Sequence, residues 1–271
     1  MHSSSWDGQV LKTSPSMNHA YEVIKDTYGD RVQIKPKNLL KFGRTANADA
    51  DANTTLMTLA GTERHETYVS ANSITHFASA SAGDNQQLTV EGHTISGSNF
   101  TFVVQTVTLN GQTKTALTTP LARCTRVANI GSTNLTGPVY VAEDVTFTSG
   151  VPQTDSAIHA IIAAGSQQTQ KAATAFSSQD YGLITEMNAS VARGSGSVNV
   201  DVFLEIREFG KIFRPVLDFT IRTAGSSNEQ ITLDPYIIVP KNADVRMTAT
   251  SDTNNTIVSG FFNAFIALVQ S

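Results

Sequence analysis

The stretch VNVDVFLEIR, residues 198–207, decides the fold class. Val198, Val200, Val202, Leu204 and Ile206 alternate there with Asn199, Asp201, Glu205 and Arg207. Successive side chains of an extended chain point to opposite sides, so a period of two predicts a strand with one buried face and one solvated face. Glu205 falls on the solvated face. Glu208-Phe209-Gly210 then turns the chain into residues 212–222, where Phe213, Leu217, Phe219 and Ile221 share a face. Residues 231–239 and 244–251 follow, the latter with Val245, Met247 and Ala249 inward. Residues 256–269 are apolar on both faces, with Ile257, Phe261 and Phe265 on one and Val258, Phe262 and Ile266 on the other. Such a strand needs cover on both sides, from the domain core and from another subunit. Residues 158–162, 169–176 and 183–191 bring the total from residue 155 onward to about eight strands, the number that two antiparallel sheets of a jelly roll require. No helix-period segment interrupts them, which argues against βαβ folds.

Upstream, the β pattern begins near residue 66. Residues 100–109 (FTFVVQTVTL) are apolar on both sides at their centre and read as an interior strand. Asn110-Gly111 follows, a strong signal for a tight hairpin. Residues 121–130 and 139–141 read as further strands, and Val151-Pro152 closes the region. Residues 1–60 differ. A thin apolar stripe marks a short helix at about 16–27, and residues 45–55 are a polar run; such a segment cannot bury a core of its own. The expectation is an all-β chain: an extended N-terminal arm (1–60), then two antiparallel β-sandwich domains (61–152 and 153–271), the second jelly-roll-like.

Of the 271 residues, 15% are charged, against about 25% in an average soluble domain. Charges are depleted from interface centres, so this surface suits a protein packed against neighbours. The net charge is −4 and no basic face of the kind nucleic acid requires is present. Lys35, Lys37, Lys41 and Arg44 read as a solvated arm. Cys124 is the one cysteine; it excludes an intramolecular disulfide and reads as a small core hydrophobe. The start, MHSSSW, lacks the basic and apolar regions of a signal peptide, and no stretch approaches the ~18 apolar residues of a membrane span. The expected protein is soluble, made in a reducing cytosol, without a membrane partner or a specific nucleic-acid partner.

Catalytic chemistry finds no foothold in the pattern. Glu205 and Glu208 lie close together, but paired acid–base carboxylates need contrasting apolar and polar settings. Ser195, between Gly194 and Gly196, reads as a turn; no helix follows it as a nucleophile elbow demands. Asn47, Asp49, Asp51 and Asn53 carry oxygens at alternate positions, yet the glycine and glutamate of a calcium loop are missing at the required offsets, so a polar linker is expected. The histidines show no zinc spacing. The sequence predicts no enzyme, no metal and no cofactor.

Several motifs carry a resemblance. KFGR (41–44) precedes an Asp/Asn-rich run; DNQQLTVEG (84–92), QTVTLNG (105–111) and LARCTRV (121–127) follow in order, with residues 165–174 after them. This ordered set resembles virion structural proteins of marine tailed bacteriophages over residues 31–192. Thr45 replaces the family's usual Asn, and residues 177–181 replace its Pro-Ala-Gly turn, departures that bear on local turn geometry. The resemblance implies a β-rich virion protein with no catalytic residues to carry over: a head-associated decoration or cement subunit that forms homotrimers and contacts the major capsid protein or other virion proteins. A neck, collar or tail-fibre adaptor uses the same architecture. A carbohydrate-binding module is a third class, but the one Trp, Trp6, sits in the arm. Trp6, Lys41, Phe42, Arg44, Phe261 and Phe265 are the expected assembly contacts. Loss of residues 1–44 is expected to leave a folded protein that no longer joins particles. Phe261→Asp or Phe265→Asp is expected to disrupt folding or oligomerisation.

Overall fold

The computed structural model describes residues 32–50, 52–58, 65–192 and 196–269. Trp6, the expected helix at 16–27 and Ser195 lie outside them. In chain order the strands are β1 (Val32–Ala48), β2 (Thr54–Thr55), β3 (Ile74–Ser79), β4 (Gln87–Ser96), β5 (Asn99–Thr108), β6 (Thr115–Leu121), β7 (Arg123–Asn129), β8 (Val139–Glu143) and β9 (Phe147–Thr148). They continue as β10 (Val151–Pro152), β11 (Ile158–Ile162), β12 (Ala173–Ala175), β13 (Asp180–Ala192), β14 (Val198–Glu208), β15 (Arg214–Thr223), β16 (Ser226–Val239), β17 (Ala243–Ser251) and β18 (Thr256–Val269).

Two sheets face each other in the larger domain, ordered β1-β18-β13-β16 and β12-β17-β14-β15, with β2 also on β17. Counting β1 as first, β12 as second and β13 to β18 as third to eighth, the orders are 1-8-3-6 and 2-7-4-5. These interlocked Greek keys are the jelly roll. The alternating patterns supply its core: Val198, Val200, Val202 and Leu204 from β14 meet Val245, Met247 and Ala249 from β17, and Val258 and Phe262 from β18. Burying a side chain such as Phe262 contributes roughly 1.5–3 kcal/mol.

Between β1 and β12 the chain leaves the jelly roll and builds a second, smaller sandwich. Its sheets are β11-β8-β3-β6 and β5-β4-β7, enclosing Phe77, Leu88, Val90, Cys124, Val127, Val139, Val141 and Ile162. Burial of Cys124 fits the sequence reading and pushes its thiol up to about 12. The excursion starts and ends at one place: the Thr58 amide donates to Gln170 O at 3.1 Å, and the Ala172 amide to Leu56 O at 2.9 Å. Adjacent ends are what let one domain be inserted into another without distorting it.

This arrangement changes the expected boundaries. Residues 32–48, assigned to an arm, form β1, paired with β18 from Val32↔Val269 to Ala48↔Thr256. Residues 158–162, assigned to the second domain, form β11 and pair with β8 in the inserted sandwich. The arm reading failed because an outer strand with one neighbour needs few apolar residues. Residues 1–44 therefore include most of a structural strand.

Two local expectations also shift. Residues 100–109 form β5, a sheet edge and not an interior strand, with Phe102 and Val104 exposed. Asn110-Gly111 does not close a hairpin, because β5 pairs with β4 and β6 with β3. Gly111 has φ +54 and is held by its amide on Asp84 O at 2.8 Å. A two-residue hairpin closes instead at Gly97-Ser98, between Ser96 and Asn99, with the positive φ at Gly97 that a II′ turn needs at its first central position.

Candidate functional site: a buried ionic seam and an outward apolar strip

Alternation along β17 sends Val245 and Met247 into the jelly-roll core and Asp244, Arg246 and Thr248 to the other face. On β14 the corresponding residues are Glu205 and Arg207; in register, Glu205 lies opposite Arg246 and Arg207 opposite Asp244. In a solitary sandwich this polar face would meet water. Here the inserted sandwich and the segment around Tyr68 cover it, so Asp244, Glu205 and Arg246 are buried and Arg207 is half-buried.

Asp244 is fully buried between two guanidinium groups. It accepts from Arg123 Nε at 2.7 Å and Nη2 at 3.2 Å, and from Arg207 Nη2 at 2.6 Å. Arg123 comes from β7 of the inserted domain, so this triad spans the two domains. Arg246 Nε donates to Glu205 Oε2 at 2.7 Å, and Thr248 Oγ1 adds a 3.3 Å bond to the same oxygen. Aromatic rings separate the cations. Tyr68 lies 5.0 Å from Arg123 and 4.2 Å from Arg207, and Phe213 lies 4.7 Å from Arg207 and 3.9 Å from Arg246. The result is an alternating stack, Arg123-Tyr68-Arg207-Phe213-Arg246, in which ring faces stabilise cations that outnumber nearby carboxylates. Burial raises the Tyr68 phenol well above its ordinary value.

A second buried set lies alongside. Lys171 Nζ donates to Glu66 Oε1, to Cys124 O at 2.6 Å and to His159 O at 3.1 Å. Lys41 Nζ donates to Thr125 O at 3.1 Å. Burial pushes Lys41 down to about 8, with Glu91 opposing the shift, and burial followed by Lys41 holds His93 down at about 3. An apolar patch completes the seam: Ile95, Phe100 and Ala122 from the insert pack with Ala175, and Phe209 joins them.

The Lys41 shift has a measurable sign. Its folded value, about 8, lies below its ordinary 10.5. Between those two values the unfolded chain holds the extra proton, so Lys41 makes stability rise with pH across that window. Lys41→Met removes this contribution. The melting-temperature difference, native minus variant, is expected to grow between neutral pH and pH about 10; a difference that stays flat would discard the assignment.

The expected assembly residues divide. Lys41 is corrected: it points inward, 5% exposed, because residues 41, 43 and 45 of β1 share the face toward the core. Glu205, read as solvated, is likewise buried at 6%. Phe42 and Phe261 are register partners and both half-buried; Arg44, two residues along, is exposed; Phe265 lies opposite Asn38 and is half-buried. With Leu40, 53% exposed, Phe42, Phe261 and Phe265 form an apolar strip on the outer face of the β1-β18 pair. Asp49, in the stretch weighed for calcium, is buried and accepts the Asn255 amide at 2.8 Å, fastening the end of β1 to the β17-β18 turn.

Of the seam residues, Tyr68, Arg123, Asp244 and Arg246 were not singled out by the sequence, and Phe213, read as part of a strand face with Leu217, Phe219 and Ile221, precedes β15 and packs in the seam. For Asp244 and Arg246 the signal is opposite charge at matching positions of β14 and β17, which becomes readable only when the pairing of those strands is known.

No family model and no curated protein matches this chain. Among solved structures, the chain is similar to that of infectious bursal disease virus Gt strain at 9% identity and a TM-score of 0.21, covering 89% of this chain and 72% of that one. Infectious bursal disease virus Gx strain gives 6% identity and a TM-score of 0.22 over the same shares.

Proposed function

We propose that this chain is a non-enzymatic structural subunit of a tailed-bacteriophage virion, a decoration or cement protein of the head that self-associates, as a trimer, and contacts the major capsid protein. The observation that carries the reading is the outward strip of exposed Leu40 with half-buried Phe42, Phe261 and Phe265, since apolar side chains gathered on the outer face of a sheet mark protein contacts. Two features support it. The ordered motifs of residues 31–192 resemble virion proteins, and the ionic seam joins the two sandwiches through buried contacts, which suits a subunit that resists pressure inside a shell. Fold alone does not carry the assignment, because jelly rolls serve capsids, lectins and enzymes alike.

The test adds purified protein to phage heads lacking their decoration and measures bound copies and the temperature of shell rupture. Native protein is expected to bind across the shell and raise that temperature. Phe261→Asp sets a carboxylate in the strip, outside the core that Phe262 fills, and is expected to weaken binding more than about tenfold while the fold survives. Binding confined to one vertex would favour the neck or fibre-adaptor role. Absence of binding to any virion part would end the proposal.

A further inference from the structure

The outer strands of the sheet β1-β18-β13-β16 are β1 and β16, and their sequences carry opposite charge. Among the described residues, no strand pairs with the outer side of β1 or of β16. β1 (VQIKPKNLLKFGRTANA) contains Lys35, Lys37, Lys41 and Arg44 and no acid; Lys41 turns inward, but Arg44 is exposed. β16 (SSNEQITLDPYIIV) contains Glu229 and Asp234, both exposed, and no Lys or Arg. The strands have 17 and 14 residues, long for edges, which ordinarily are short or covered because unpaired amides and carbonyls attract other chains.

We infer that the basic β1 edge of one copy and the acidic β16 edge of the next are the two halves of a head-to-tail contact between copies of this chain. This deepens the proposed function and rests on its supposition that copies meet. The polarity fits. Each neighbouring pair in the sheet is antiparallel, so β16 runs opposite to β1, and a second copy continuing the sheet in the same orientation brings its β1 antiparallel to β16. The alternatives are disfavoured by charge: β1 against β1 sets Lys and Arg against Lys and Arg, and β16 against β16 sets acid against acid. Repulsion of wrong pairings is how a surface chooses its partner. A cyclic trimer needs two different complementary patches on each subunit, because only a twofold contact joins a patch to itself. Pro36 with the register shift between Lys35 and Asn38, and Pro235 with that between Ile184 and Glu186 on the β13 side, limit how far a main-chain ladder extends. Side-chain charge therefore sets the specificity of the contact.

The experiment uses the full chain and follows its mass by light scattering against concentration, at low and high salt. Native protein is expected to self-associate, less so at high salt, where exposed charges are screened. Lys37→Glu with Arg44→Glu, and separately Glu229→Lys with Asp234→Lys, are each expected to weaken association at least about tenfold. The chain carrying all four reversals restores opposite charge and is expected to associate again. Either pair associating like the native chain, or the four-fold variant remaining monomeric while circular dichroism shows it folded, overturns the inference. A monomeric native protein that still strengthens phage heads would overturn this contact and leave the shell role standing; an oligomer that binds no virion part would do the reverse.

Discussion

A chain shortened by residues 1–44 is expected to be insoluble, or to lack a cooperative melt, and not merely to lose its place in an assembly. The cut removes β1 except for Thr45–Ala48 and strips β18 of its partner from Val32↔Val269 to Arg44↔Ser259. Phe262, now fully buried, would lose its neighbour Lys41, and Leu39, packed against the core, would be gone. The Lys41 bond to Thr125 O, one of the ties between the domains, would vanish as well. Domain stabilities of about 5–15 kcal/mol leave little room for such losses. A point variant probes the same strand. A Cβ on Gly43 would stand 1.7 Å from Leu56 O and 2.4 Å from Ala172 N, both backbone atoms on the segments that lead into and out of the inserted domain. Neither can step aside without moving a strand, so Gly43→Ala is expected to cost about 3 kcal/mol, high in the range for overpacking. Denaturant melts followed by circular dichroism measure both; a truncated chain that melts like the full one would show that β1 is dispensable.

Gly43 also shows what the sequence made legible. The motif KFGR was visible as a marker, but the need for a glycine arises from segments that close on it only after folding. The β character and the jelly roll were readable from alternation along β14 and β17, where one apolar face suffices to name a strand. The eight strands counted after residue 155 are present, but two errors of membership offset each other: Ile158–Ile162 was put in the jelly roll and β1 was left out. Both have one cause. Alternation identifies a strand but says nothing of its partner, and the insertion separates β1 from β12 by the whole of the smaller sandwich. The seam was hidden for a related reason. Glu205 and Arg207 alternate with apolar residues just as solvated residues do, and only the inserted domain laid over them buries Glu205 and half-buries Arg207. Phe261 and Phe265 were accessible to reasoning because an apolar residue on a strand's second face is conspicuous at any register, whereas Phe42 entered through the motif KFGR in a segment read as an arm.

Asp244→Ala is expected to lower stability by about 3–5 kcal/mol, because it leaves the guanidinium groups of Arg123 and Arg207 without their shared carboxylate inside the seam. The loss falls on the contact between domains, so the native chain is expected to unfold in one transition and the variant in two, one for each sandwich. Replacing the whole triad separates two causes. If an uncompensated buried charge is what costs, then Arg123→Met, Asp244→Leu and Arg207→Met together should be far milder than Asp244→Ala alone, since exchanging a complete buried ion cluster for apolar groups is often close to neutral. If instead the triad's geometry holds the domains in place, the triple variant should be as unstable as the single one. Two structural facts favour the first outcome. Ile95, Phe100, Ala122 and Ala175 already bridge the domains by apolar packing, and Tyr68 and Phe213 offer apolar faces to whatever replaces the arginines. Calorimetry of the three proteins decides it: an Asp244→Ala chain that keeps the native melting temperature and one transition would mean that packing alone joins the domains and the buried charges are passengers.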